Sequence, residues 1–445
     1  MIELPYEIWL MIVDYLPIHH VRRLYSVNEA LFSIALDLRY KEASIAVLPD
    51  RVVEETEPPV LRYVIAQLLQ YGLLIQLGRN PLLFSRPTAL QITFHDSFNH
   101  PGPNVTETRI QNRSSWKLIL RTIIGSTMGR KPKSIAPTVK LTQITLHAMP
   151  RLIHVSTLSF AYAKSLDNMD GRRDMEASLI FPETLRIVGD RLRNLHIQSP
   201  FAMYLPPQLG SLESFSVDAV GPCHRPDIHN VMIDKVPAFL LAHQSTIRDV
   251  SFSIDNPTLD ITPILQCLRD MSCLHTIRLS LSYGTISSGT SVDFQGGREI
   301  LAKHQQHLTS LSLGFVGDRV IGWAVPVFFR QDWCSVKLPN LRDLTIRLPG
   351  VPFRRELGIY IRQFSTSLVS LKIMHVPFSA HIGNGKFRSF CDILSAFPCL
   401  EDLSLYLSNF NIEQLIVFAS TLPHLRSLLL HYSYQPLQIN PVSRL

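Results

Sequence analysis

One short pattern recurs along this 445-residue chain: an apolar residue, two others, an apolar residue, one other, and a third apolar residue. It stands at "LTQITL" (141–146), "LRNLHI" (192–197), "LESFSV" (212–217), "IRDVSF" (247–252) and "LHTIRL" (274–279). It continues at "LTSLSL" (308–313), "LRDLTI" (341–346), "LVSLKI" (368–373), "LEDLSL" (400–405) and "LRSLLL" (425–430). Alternation at the end of each stretch is the period of a strand with one buried face. From Leu192 onward successive starts lie 20, 35, 27, 34, 33, 27, 32 and 25 residues apart, centred on the low end of the spacing of stacked repeats.

Amphipathic segments fill most of the intervals: "NVMIDKVPAFLLAHQ", "DITPILQCLRDM", "GREILAKHQQHL", "RRELGIYIRQF", "KFRSFCDILSAF" and "IEQLIVFASTL". Their spacing predicts helices, several ending at an "LPxL" or "FPxL" step such as "LPNL" (338–341), "FPCL" (397–400) and "LPHL" (422–425). A strand–turn–helix unit of this size leaves its apolar face open, and stacking on its neighbours buries it. A non-repeating α/β domain with a parallel sheet has to explain why one strand pattern returns so often.

The pattern resembles leucine-rich repeats, in a degenerate form without the Asn of the standard consensus. The resemblance implies an α/β fold in which residues 191–445 form an irregular solenoid, or horseshoe. Residues 86–190 are expected to hold irregular first repeats, with "TALQITFHD" as an early strand and residues 96–113 as a long exposed loop.

Alternate strand residues face opposite ways, so the positions between and just after the apolar ones belong to one open face. From Leu192 the first set reads His196, Ser216, Ser251, Arg278, Ser312, Thr345, Lys372, Ser404 and Leu429. The second reads Gln198, Asp218, Ser253, Ser280, Gly314, Arg347, Met374, Tyr406 and His431. Arg278, Arg347, Lys372, Met374, Tyr406 and His431 are therefore the candidate substrate-binding residues, a cationic centre with an aromatic edge. Arg and Tyr are common at interface hot spots, and Arg grips carboxylate or phosphate bidentately. Asp343 and Asp402 fall on the same face, and the competing expectation is that they neutralise these cations.

The N-terminus poses a separate problem. In "LPYEIWLMIVDYL" (4–16) Pro5 suits a first helical turn, and Ile8, Ile12 and Leu16 recur at helical spacing. Trp9, Leu10 and Val13 widen the apolar surface, leaving Glu7 and Asp14 on one narrow polar stripe. "HHVRRLYSVNEALFSIALDLRYKEAS" predicts two more helices after Pro17. A unit of this size cannot bury a helix that is apolar nearly all round, so the excess meets either the rest of the chain or another protein.

The stretch "LPYEIWLMIVDYL…VRRLYSVNEALFSIA" resembles an F-box, and its tail resembles the version common in fungal F-box proteins. The likeness covers roughly residues 2–44. It implies a three-helix domain (1–45) docking onto a Skp-type adaptor and through it a cullin scaffold. Leu4, Pro5, Ile8, Ile12, Leu16, Leu24, Val27 and Phe32 match family apolar positions; the sequence does not separate adaptor contacts from residues that hold the helices together. Asn28, Phe32 and His19-His20 depart from the commoner residues there. Residues 46–85, with the acidic "DRVVEETEPP" (50–59) and an apolar stretch at 60–77, read as linker and connecting helix.

Composition narrows the function classes. The chain is 46% hydrophobic and 18% charged, which demands a large core. Net charge is +7, from 43 basic and 36 acidic residues, but the charges are dispersed, so nucleic-acid binding is the third and weakest reading. The densest basic stretch, "GRKPKSIAPTVK" (129–140), reads as a solvated loop. The six cysteines lack CxxC spacing and are expected to be buried free thiols. No secretory signal or membrane-spanning stretch is evident, and an intracellular protein, cytoplasmic or nuclear, is expected.

Catalytic patterns are missing: there is no HExxH, phosphate-binding loop, GxSxG or dinucleotide fingerprint. "GNGKF" (383–387) reads as a turn before a helix, and His243, His304 and His307 as satisfied or exposed connector residues. Adjacent His19 and His20 point apart and do not make a metal site. No enzymatic activity and no cofactor are expected. The sequence is read as a substrate-receptor subunit of a ubiquitin ligase, taking a protein client on the repeats. The alternative is a repeat scaffold whose N-terminal helices only cap the solenoid.

Overall fold

The computed structural model of the protein describes residues 4–21, 24, 27–47, 87–94, 154–162, 171–219, 230–255, 259, 261–282, 296–316, 329, 332–348, 355–378, 385–407 and 412–432. The expected linker and helix at 50–77, the loop at 96–113, the basic stretch at 129–140 and "LTQITL" lie outside them. The chain divides into two compact units: residues 1–196 with 209–211, and 197–208 with 212–445.

The first unit opens with α1 (Tyr6–Asp14), the one-turn α2 (Ile18–Val21) and α3 (Glu29–Tyr40). Asn28, in extended backbone, starts α3 by accepting the Leu31 N–H on its side chain at 2.8 Å. Val13, Val21, Leu31, Ile34 and Ala35 form the core of these helices, with Trp9, Leu16 and Leu24 packed against it. Three parallel strands follow, β1 (Glu42–Val47), β2 (Ala89–Phe94) and β3 (Thr157–Tyr162), in register Glu42–Ala89–Thr157. Helix α4 (Gly171–Val188) packs by an edge-to-face contact of Phe181 on Phe160 of β3, ring centres 4.6 Å apart. Strand β4 (Asn194–Gln198) comes next.

In the second unit strands and helices alternate. The order is β5 (Ser214–Ala219), α5 (Val236–Ala242), β6 (Asp249–Ile254), α6 (Thr262–Asp270), β7 (Thr276–Ser282), α7 (Gly297–His304) and β8 (Ser310–Val316). It continues as β9 (Asp343–Arg347), α8 (Arg355–Arg362), β10 (Ser370–Phe378), α9 (Gly385–Leu394), β11 (Asp402–Leu407), α10 (Ile412–Thr421) and β12 (Ser427–Tyr432). A π-turn, Val231–Lys235, leads into α5, and between β8 and β9 the described residues hold a 3-10 turn, Asp332–Ser335. All pairings from β5 to β12 are parallel and follow chain order.

One backbone device recurs within each unit. The second residue of each pattern lends its carbonyl to two successive N–H groups of the next repeat. Glu213 O accepts from Arg248 N and Asp249 N (2.7 and 3.1 Å), and Arg248 O from His275 N and Thr276 N (2.7 and 3.0 Å). The series runs on through His275, Thr309, Arg342, Val369 and Glu401. In the first unit Lys41 O accepts from Thr88 N and Ala89 N, Thr88 O from Ser156 N and Thr157 N, and Ser156 O from Arg193 N and Asn194 N. "VSTLSF" (155–160), which is not among the ten stretches quoted above, is therefore a repeat of the same construction.

This corner explains an offset. Each strand begins at the third pattern position because the first, such as Leu212, Ile247, Leu274 or Leu308, is a fully buried corner residue. The next two apolar positions make inner rows, Phe215–Val250–Ile277–Leu311–Leu344–Leu371–Leu403 and Val217–Phe252–Leu279–Leu313–Ile346–Ile373–Leu405. Leu268 of α6, Ile300 and Leu301 of α7 and Trp333 line one small apolar cavity together with Ile277, Leu279, Leu311 and Leu313. At ~25 cal/mol per Å² of apolar surface removed from water, burying these rows stabilises the unit.

Candidate functional site

Two surfaces separate from the core by their chemistry, one in each unit. The first is α1. Pro5 precedes it with extended backbone, and its carbonyl accepts the N–H groups of Ile8 and Trp9 at 3.1 and 3.3 Å. Trp9, Val13 and Leu16 turn inward, and Val13 is only 6% exposed. The stripe expected on one face is thus divided: Leu16 joins the core while Ile8 and Ile12 are exposed. Leu4, Tyr6, Leu10, Met11 (59%) and Tyr15 (87%) are exposed with them.

Of the other residues carrying the F-box resemblance, Leu24 packs on the core, whereas Pro5, Val27 (59%) and Phe32 (45%) are exposed. Tyr6, Leu10, Met11 and Tyr15 are not among the positions that carry the resemblance. The all-round greasiness of the helix was their only signal. The Tyr6 hydroxyl lies 3.5 Å from Asp37 Oδ2 and links α1 to α3.

The second surface is the polar face of the second unit's sheet. Its outward residues stack in rows. One row, at the N-terminal end of the strands, runs Asp249–Thr276–Ser310–Asp343–Ser370–Asp402. The middle row runs Ser251–Arg278–Ser312–Thr345–Lys372–Ser404–Leu429. The third runs Ser253–Ser280–Gly314–Arg347–Met374. The carboxylates on β6, β9 and β11 therefore gather at one margin of this face and the cations of β7, β9 and β10 lie beyond it.

Arg278, Arg347 and Lys372 are exposed, and among the described residues none has an ion-pair partner; Asp343 and Asp402 make no ion pair with them. Gly314 is buried beneath Arg347: a Cβ at Gly314 would lie 3.3 Å from Arg347 Cβ, 3.7 Å from its Cδ and 3.2 Å from Ser280 Oγ. The Arg347 stem thus lies across the bare backbone of β8. The expected aromatic edge is set apart. The β10–β11 register stops at Ile373–Leu405 and resumes at Phe378–Leu407, so Met374 and Tyr406 are not ladder partners. Met374 instead takes the Ser404 hydroxyl on its sulfur at 3.7 Å, and Tyr406 pairs with His431 on β12.

Buried histidines and thiols lie in the packing of the second unit. His243 Nδ1 lies 2.7 Å from Phe239 O and His304 Nε2 2.8 Å from Leu268 O, both rings buried. Burial pushes the Cys391 thiol up to about 12 and raises Cys267 and Cys334 as well, the opposite of what a nucleophile needs. Among the described residues no group of His, Cys, Asp and Glu is placed to hold a metal, and no helix is long and apolar enough to cross a membrane.

No family model matches this sequence, and no curated protein matches it either.

Proposed function

We propose that this chain is the substrate-receptor subunit of a Skp–cullin–F-box ubiquitin ligase. In this reading the N-terminal helices are an F-box that docks a Skp-type adaptor, and the repeats are a degenerate leucine-rich-repeat solenoid whose polar face holds a protein client. The receptor contributes proximity between client and transfer partner and no bond-making residue.

The observation that carries the reading is the division of α1. Trp9, Val13 and Leu16 satisfy the core of the helices, while Ile8, Leu10, Met11 and Ile12 of the nine-residue α1, with Leu4 just before it, remain exposed. A standard interface takes about 800 Å² from each partner, which this face with Val27 and Phe32 can supply in large part.

A scaffold reading, with the helices as a cap, draws on one feature: α3 runs to Tyr40 and the very next residue, Lys41, supplies the first repeat carbonyl. Titration of the full chain against the Skp-type adaptor separates the two. Ile8→Asp with Met11→Asp, both at exposed positions, is expected to abolish binding with the circular dichroism spectrum unchanged. A folded wild type that does not bind the adaptor sinks the receptor reading and leaves the scaffold.

A further inference from the structure

We propose that the cationic strip of β7–β10 binds an extended acidic segment with carboxylates at alternate positions, taken in turn by Arg278, Arg347 and Lys372. The inference deepens the receptor reading, on which it rests, by giving the client's docking segment a chemistry.

Three features point to that occupant. The cations are exposed and have no ion-pair partner among the described residues, so their charge is available to a ligand. Their spacing is wrong for one compact anion. Arg278 and Lys372 are joined through Ser312 and Thr345 by three ladder steps. At about 4.8 Å a step that is about 14 Å. An extended segment advances about 3.4 Å per residue, so three side chains on one of its faces span about 14 Å as well. A single phosphate reaches one or two of these groups and leaves the rest unmatched.

The third feature is Gly314. Without a Cβ there, the Arg347 stem lies over β8, on the path between Arg278 and Lys372. The aspartate row at the N-terminal margin of the face excludes a broad polyanion and confines an acidic segment to the cationic rows. Among the described residues of the three rows no ring interleaves with the three cations, which separates the strip from a single-stranded nucleic-acid groove.

The test uses the full chain and a fluorescein-labelled peptide with glutamates at three alternate positions among serines and threonines. Fluorescence anisotropy is expected to show binding that weakens as salt rises. Arg278→Ala with Lys372→Ala is expected to weaken it at least about tenfold, the loss of a charge-assisted contact or more. Gly314→Val, which pushes Arg347 aside without removing a charge, should weaken it too, while Lys303→Ala, an exposed cation on α7, should not. Thermal melts check that each variant is folded. Affinity unchanged in the folded double variant overturns the proposal. So does tighter binding of a singly phosphorylated peptide, or of a single-stranded oligonucleotide. Titration of the same preparation with the Skp-type adaptor keeps the outcomes apart: adaptor binding without peptide binding refutes the acidic segment and spares the receptor reading, and the converse refutes the receptor reading.

Discussion

His304 of α7 reaches across to the end of α6, its Nε2 lying 2.8 Å from the carbonyl oxygen of Leu268. The ring sits four residues before Leu308, whose N–H returns to the His304 carbonyl; Phe364 stands in the same relation to Leu368. Burial holds the imidazole below its ordinary pKa, partly countered by the bond to Leu268, with Lys303 and His307 pushing the same way as burial. The unfolded chain therefore takes up this proton near pH 6.5 and the folded chain only at lower pH. Stability from this site is complete above about pH 6.5 and drains away as pH falls below it. Thermal melts at about pH 7.5 and about pH 5.5 should show a smaller loss for His304→Phe than for wild type; an equal loss places the proton uptake elsewhere.

Tyr360 of α8 is packed among Phe329, Trp333 and Phe364, and among the described residues its buried hydroxyl has no hydrogen-bond partner. An unmatched buried hydroxyl costs about 1–3 kcal/mol. Tyr360→Phe keeps the ring contacts and should stabilise the chain by about 1 kcal/mol in urea denaturation. A destabilised variant would mean that the hydroxyl is bonded in solution.

Asn28 starts α3 through the 2.8 Å bond from the Leu31 N–H. Replacing such a cap by Ala costs about 0.5–2 kcal/mol. Asn28→Ala should lower stability by about 1 kcal/mol, and Asn28→Ser should recover most of it, since a hydroxyl can accept the same N–H. If Ser is no better than Ala, the cap contributes nothing.

The thiols should differ in access. Cys399 is exposed, whereas Cys334 and Cys391 are buried with raised pKa values. Alkylation of the native chain at about pH 8, followed by peptide mass analysis, should modify Cys399 within minutes and spare the other two until denaturant is added. Equal labelling would show that the helices covering Cys334 and Cys391 open readily.

The repeat itself was legible from the residues. A strand with one buried face must alternate, and a stack in which every strand pairs at the same position must put equivalent residues in one row. Pattern position alone thus placed Arg278 beside Ser312, and Thr345 between Ser312 and Lys372. The helices were legible for a similar reason: "DITPILQCLRDM" and "RRELGIYIRQF" have strongly one-sided apolar faces, and α6 and α8 occupy them.

What only the tertiary structure decided was direction and partnership. A helix apolar on nearly every side has no period to orient it, so packing against Val21, Leu31 and Ile34 selected Trp9 and Val13 over Ile8 and Ile12 for the interior. The corner carbonyls revealed 155–160 as a repeat, because a shared backbone bond does not depend on which side chains stand there. Whether Asp343 and Asp402 quench the cations was likewise beyond the pattern. Their position on the same face is a matter of alternation, but an ion pair needs side chains within about 4 Å, and that distance is set by how the rows are laid across the sheet.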